Sequence, residues 1–318
     1  LLQTARVLSS PTDCISRTWS TLMKFEGYDF VKVFYVILFG QLVSRIGSYL
    51  SVFALKVWIY ENTNSIGKFA LTSLFLELPG LFLSPVAGVV VDRINKRKLL
   101  ILADVIALIT NIALGAIIFL YSENPSEENV NIIVYAIYLV GAINSVTDTF
   151  QGNAFSVTMS ILLPKDMYAK GDALCEIGGG ICQLVAPSFS GLLMATLGLN
   201  YIISIDIVTC LFAIFTLCIV RFPKLIFVKQ DETEPKEPSA SLSWKDLLKT
   251  EELTFGLHYI RTRPGLLSLL LLFTYTNFVD TFINELLPPF LLSFATVEEL
   301  GYVASFCGVG MLVGAVFV

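Results

Sequence analysis

Eight long apolar stretches divide the chain, at about 30–58, 67–91, 98–121, 131–162, 172–197, 201–221, 264–292 and 299–318. None alternates apolar and polar positions with the period of two that a membrane strand requires. About 20 apolar residues carry a helix across the roughly 30 Å hydrocarbon core. Only helices and closed barrels satisfy their own backbone there, so the pattern predicts an all-α polytopic membrane helix bundle. The fourth stretch is too long for one span and is expected to run past the membrane. The eighth is cut short at Val318, and with Leu1 rather than a methionine at the start, a fragment of a longer protein is expected.

One long polar interval follows the sixth stretch. Asp231–Ser241 reads DETEPKEPSAS, which has too little apolar surface to order itself. Beyond it, Trp244, Leu247, Leu248, Phe255 and Tyr259 fall on one face of a helix expected over Ser243–Ile260. Such a helix suits the membrane surface.

Charge turns the spans into a topology. Arg6, Arg17, Lys24, Arg93, Lys96, Arg97, Lys98, Lys165, Lys170 and the basic residues of 221–263 all fall on one side. The opposite loops hold Lys68 with Glu61, Glu123, Glu127, Glu128, Glu298 and Glu299. The positive-inside rule makes the first side, and the N-terminus, cytoplasmic. The expected organisation is a cytoplasmic N-terminal segment (1–27), a six-helix transmembrane domain (28–221), a cytoplasmic linker with an amphipathic helix (222–263) and a partial second transmembrane domain (264–318). The expected location is the plasma (inner) membrane.

Composition agrees and removes several function classes. Apolar residues make up 55% and charged residues 15%, against about 25% charged in soluble domains; mean hydropathy is +0.75. No basic patch with interleaved aromatics points to nucleic acid. Of six cysteines, five lie in apolar runs, at Cys175, Cys182, Cys210, Cys218 and Cys307, where they read as small hydrophobes without metal-type spacing. Gly67-Lys68 lacks the rest of a phosphate-binding loop, so a gradient rather than ATP is the expected energy source. HExxH, GxSxG and TVGYG-like sequences are absent. No enzyme, cofactor or metal site is expected.

Ionisable side chains at the bilayer centre cost about 2.5–3.5 kcal/mol on insertion scales and need partners or water. Arg45, Glu77, Asp148 and Asp280 stand near the middle of their spans, and Glu285 is nearer one end. Asp104, Glu176 and Asp206 stand close to span ends and read as interfacial. Polar stripes at helical spacing occur in the first span (Gln41, Arg45, Ser48, Ser51), the fourth (Asn144, Asp148, Gln151) and the seventh (Thr274, Asn277, Thr281, Asn284). Gly80, Ser84 and Gly88 recur every fourth residue in the second span, a pattern of close helix packing.

Between the second and third spans the chain reads Gly88-Val-Val-Val-Asp92-Arg93-Ile-Asn95-Lys96-Arg97-Lys98. This resembles the cytoplasmic signature of the major facilitator superfamily, Gly-x-x-x-Asp-Arg-x-Gly-Arg-Lys, with Asn95 replacing the second glycine. QLVSRIGSYLSVFAL (41–55), LPGLFLSPVAG (78–88) and RTRPGLLSLL (261–270) are similar to its macrolide- and siderophore-exporter branch. The resemblance covers about 28–318. It implies a complete N-terminal six-helix half, the start of a C-terminal half, and a central cavity lined by the first, fourth and seventh helices. It also implies a gating loop formed by Gly88, Asp92, Arg93, Lys96 and Arg97, for which plain positive-inside anchoring is the alternative. Exporters of the family often carry Gly-Pro in the fifth helix; here Ala186-Pro187 stands in its place, with Gly191 following.

The expected function is proton-coupled efflux of an amphipathic small molecule by alternating access, in a monomer. A facilitator or importer of the same fold, or a non-transporting scaffold or receptor, is the alternative. Substrate- and proton-coupling candidates are Arg45, Glu77, Asp148, Gln151, Asn277 and Asp280. Arg45 is expected to pair with Asp148 across the cavity, and Asp148 or Glu77 to take up the coupling proton. A packing ion pair or a hydrogen-bonded acid is the structural alternative.

Overall fold

A computed structural model describes residues 30–121, 126–220 and 259–317; for 93, 305, 308, 309 and 311–317 it describes the backbone alone. The expected N-terminal segment, most of the linker with its amphipathic helix, and the Arg93 side chain lie outside the described residues. Eight long helices run in order: α1 (Phe30–Thr63), α2 (Ile66–Arg93), α3 (Lys96–Tyr121), α4 (Glu127–Leu162), α5 (Tyr168–Leu197), α6 (Leu199–Ile219), α7 (Pro264–Leu292) and α8 (Val297–Phe317). No strand occurs among the described residues. Helices α1 to α7 are each long and apolar enough to cross a membrane.

Local chemistry ends these helices where the sequence changes character. Ser65 and Ser126 cap α2 and α4, each hydroxyl accepting a backbone N–H at 3.2 Å. Glu127 and Glu128 follow in the first turn of α4, where the helix dipole favours anions. Gly198 separates α5 from α6 at φ +83°, with its N–H shared between Leu193 and Met194 carbonyls. A side chain there would be strained, so glycine makes this one-residue junction possible. As expected from its length, α4 is one unbroken 36-residue helix. At about 1.5 Å per residue it spans about 54 Å, well beyond the hydrocarbon core.

Helix α1 packs on α5 and α6, α4 on α2 and α3, α3 on α6, and α8 on α5. Two separate apolar clusters hold the first six helices together. One, toward the Thr63 end of α1, contains Ala54, Ile59, Ile118, Ile133, Ile137 and Ile202. The other, toward the Phe30 end, contains Phe34, Ile37, Leu100, Ala154, Leu162 and Leu217. Between the clusters, buried polar side chains come from α1 (Gln41), α3 (Asp104, Asn111), α4 (Ser145, Thr147) and α6 (Asp206). Outward faces carry exposed Phe39, Leu81, Phe82, Ile109, Phe119 and Phe215, as lipid contact requires. The interior is therefore a polar layer between two apolar ones.

The helix-packing expectation for α2 holds at one end and fails at the other. A Cβ on Gly80 would stand 2.6 Å from the Ser145 carbonyl oxygen of α4, and the Gly80 N–H donates to Ser145 Oγ at 3.0 Å. Around Gly88 nothing among the described residues lies within 4 Å of such a Cβ. The reason is the facing of the helix: on that turn Ala87 and Val91, at 0% and 1% exposure, take the buried positions.

Candidate substrate- and ion-coupling site

The polar layer contains two closed hydrogen-bond networks and one open cavity. In the first network Asp104 of α3 is the acceptor. Gln41 Nε2 of α1 donates to Oδ2 at 3.1 Å and Gln151 Nε2 of α4 donates to Oδ1 at 2.7 Å. Gln151 also donates to Gln41 Oε1 at 2.7 Å, and Cys210 of α6 donates to the Asp104 carbonyl at 3.2 Å. Asp104 is 3% exposed. Both its oxygens have donors, which is the condition for a buried carboxylate.

Asp206 of α6 anchors the second network and is similarly buried. Ser48 of α1 donates to Oδ1 at 3.2 Å and Asn111 of α3 donates to Oδ2 at 3.0 Å. Asn144 of α4 donates to Asn111 Oδ1 at 3.5 Å and accepts from Thr110 at 2.9 Å. Beside Asp206, Ser51 Oγ is buried and completes no hydrogen bond of acceptable geometry among the described residues.

A cavity of about 80 Å³ opens against this second network, lined by Ser48, Ser51, Asn111, Asn144, Asp148 and Asp206 with an apolar rim from α1 to α4. Its polar side chains and its size suit several waters. Asp148 faces it with an accessible carboxyl. Among the described residues Asp148 makes no hydrogen bond and no ion pair within 4 Å. Arg45 is close enough to be its leading charge partner, but the expected Arg45–Asp148 ion pair is not formed. The guanidinium turns instead toward α5, with Nη1 3.6 Å from where a Cβ on Gly179 would stand. Of the two, Asp148 lines the cavity and Arg45 does not.

Asp104 and Asp206 correct the reading of both as interfacial. They are the most enclosed acids in the polar layer, because α3 starts at Lys96 and α6 at Leu199, right at the bundle ends. Eight and seven residues inward is about 12 and 10 Å of depth. Asp104 and Asn111 also stand seven residues apart on one face of α3, a stripe that the sequence displays. Gln151 is a donor to Asp104 rather than a group facing an open cavity.

Helix α7 joins this arrangement at a different point from the one expected. Asn277 and Asp280 are exposed; Asn277 donates to the Phe273 carbonyl of its own helix. Neither bonds to α1 or α4 among the described residues. The contact is made by Glu285, which accepts from Lys56 Nζ of α1 at 2.8 and 3.1 Å and from Ser73 Oγ of α2 at 2.6 Å. Lys56 also lies 5.7 Å from the Phe69 ring centroid. Glu77, one turn from Ser73, is exposed, hydrogen-bonds to nothing described, and lies within electrostatic reach of Lys56 and Glu285. Nothing in the apolar runs singles out Lys56, whose partner lies 229 residues away.

At the loop between α2 and α3, Lys96 Nζ donates to the Asp92 carbonyl at 2.8 Å and caps α2. Arg97 Nη2 donates to the Leu217 and Cys218 carbonyls at 3.2 and 3.0 Å, tying α3 to the end of α6. Asn95 Oδ1 accepts from the Arg97 N–H at 3.1 Å, so the residue replacing the signature glycine opens α3 with its side chain. Asp92 is exposed at the end of α2. Among the described residues no three His, Cys, Asp or Glu side chains converge on a metal-sized site.

Known proteins share this sequence pattern. Residues 37–318 match the family model described as Major Facilitator Superfamily. Macrolide efflux protein A of Streptococcus pyogenes is 31% identical over 255 residues, covering 80% of this chain and 58% of that protein. Its Enterococcus faecalis namesake is 30% identical over 216 residues, covering 68% and 60%. Multidrug efflux pump Tap of Mycobacterium tuberculosis is 25% identical over 173 residues, covering 52% and 38%. The chain thus spans less than two thirds of the length of these relatives. With its all-helical fold and multi-pass apolar helices, the chain belongs to the major facilitator superfamily.

Proposed function

We propose that this protein exports an amphipathic small molecule across the plasma membrane by proton-coupled alternating access. The Phe30 end of α1 is then cytoplasmic, as the basic loops require. Residues 28–221 form one rocking half, 264 onward begins the other, and 222–263 links them as a cytoplasmic connection. Efflux in the names of the relatives supports the direction, and a macrolide is the first substrate to try.

One observation carries the reading: of the three aspartates that α3, α4 and α6 bring to the bundle interior, Asp148 has no donor among the described residues, while Asp104 and Asp206 have donors on both oxygens. A carboxyl in a water-sized cavity takes up and releases a proton without dismantling a network. Arg45 supplies the counter-charge. When Asp148 is ionised, the guanidinium is drawn to it; when Asp148 is protonated, Arg45 returns to α5. Protonation thus moves a cation between α4 and α5 at the mouth of the cavity. The protein works as a monomer in this scheme, with protons and substrate as its only cargo.

The test uses inside-out vesicles and a radiolabelled macrolide. In the wild type an imposed proton gradient drives accumulation. Asp148→Asn is expected to lose this gradient dependence by at least about fivefold, the lower range of a site-to-site coupling, while keeping gradient-free counterflow. Accumulation in the variant with full gradient dependence contradicts the assignment of Asp148. Counterflow in the wild type with no response to a gradient favours a facilitator.

A further inference from the structure

The Lys56–Glu285 pair joins the two parts of the chain that the transport reading sets in relative motion. Its surroundings show more than a static clasp. Glu285 is held from two helices, by Lys56 of α1 and Ser73 of α2. Close by on the same α2 face, Glu77 has no hydrogen-bond partner among the described residues and feels both Lys56 and Glu285. Ser73 and Glu77 are four residues apart and so lie one above the other. One cation therefore stands between two carboxylates: one fixed on the same side of the moving boundary, one on the opposite side.

A second contact joins the parts at the same end of the bundle. A Cβ on Gly191 of α5 would come within 3.1 Å of Gly301 Cα and of the Val297 carbonyl oxygen of α8. Backbone meets backbone there, so α5 and α8 are pressed together with no side chain between them. Under the sidedness proposed above this is the outer end. Both contacts between the two parts thus lie at that end.

We infer that Lys56 is the switching residue of the outer gate, passing from Glu285 in the closed state to Glu77 in the open one. This rests on the transport reading. Withdrawing Glu285 without a replacement leaves an ammonium group bare near the membrane interior, a costly state. Glu77, one turn from Ser73 on α2 and within electrostatic reach of Lys56, supplies the replacement. Ser73, bonded to Glu285 in the closed state, is then released. Removing either carboxylate consequently displaces the gate in opposite directions, which no purely structural ion pair does.

The experiment reads outer accessibility. Tyr49 is exposed and lies seven residues below Lys56, about 10 Å deeper on the same helix. A Tyr49→Cys reporter, in a background with the six native cysteines replaced, is labelled from outside intact cells with a membrane-impermeant maleimide. In the otherwise unmodified reporter protein, labelling is expected to change when macrolide is added. Glu285→Gln is expected to raise labelling and Glu77→Gln to lower it, each by roughly fivefold or more. The swap Lys56→Glu with Glu285→Lys rebuilds the closed pair but sets a carboxylate at position 56 against Glu77, so labelling is expected below the unswapped level.

The outcomes separate the two readings. An unswapped reporter that never responds to substrate overturns the transport reading and this inference with it. A responsive reporter in which Glu77→Gln changes nothing, or in which the swap merely restores the starting level, overturns the partner exchange alone. Surface quantities of each variant, measured by biotinylation, normalise the labelling so that loss of folding is not read as closure.

Discussion

A carboxylate held between apolar layers needs donors, and the donors here distinguish Asp104 and Asp206 from Asp148. Asp104 is locked by the amides of Gln41 and Gln151. Asp104→Ala is therefore expected to leave the buried Gln41 amide without its acceptor, take one of the two acceptors of Gln151 and lower stability by about 1–3 kcal/mol, read as a fall in melting temperature of the detergent-purified protein. Ser51→Ala removes a buried hydroxyl that completes no hydrogen bond among the described residues and is expected to change stability by less than about 1 kcal/mol. The stripes containing Arg45 and Asp148 are legible from helical spacing alone. Their separation is not, since a stripe fixes which face a residue occupies and says nothing of its rotamer or the tilt of the opposite helix. Asp104 and Asp206 are misread from sequence because distance from the end of an apolar run is a poor measure of depth when neighbouring helices differ in length. Lys56 is hidden for a related reason: its partner lies on α7, and no local pattern encodes a contact across 229 residues.

Among the elements, close packing is concentrated at a few backbone contacts. Gly80→Ala forces a methyl against the Ser145 carbonyl oxygen and is expected to cost about 1–3 kcal/mol, the range of an overpacked site. Gly88→Ala meets nothing within 4 Å among the described residues and is expected to be neutral or slightly stabilising, since alanine gains up to about 1 kcal/mol over glycine within a helix. Thermal unfolding of the two variants side by side checks the contrast. Spacing alone places both glycines on one face of α2. Which of them meets a neighbour depends on which positions of each turn the packed helices bury, here Ala87 and Val91 rather than Gly88. The helices themselves are plainly written in the sequence. All eight apolar stretches appear as helices, because lipid leaves the backbone no other open-ended structure.

At the level of the whole molecule, the first six helices form a bundle with a polar middle, and α7 and α8 are fastened to it by Lys56–Glu285 and Gly191–Gly301. The superfamily is legible in the loop from Gly88 to Lys98, where charge, spacing and position coincide. The roles of that loop's residues are less so: Lys96 and Arg97 bond to helix-end carbonyls of α2 and α6, chemistry that any cation near a helix C-terminus performs. The account as a whole requires that a proton leave or enter Asp148 when substrate binds. The direct measurement is proton exchange by the purified protein in weakly buffered detergent solution, followed with a pH indicator on adding macrolide. The wild type is expected to exchange a proton with solution on binding, and Asp148→Asn to bind the same ligand with no pH change. An equal pH change in both proteins contradicts the account.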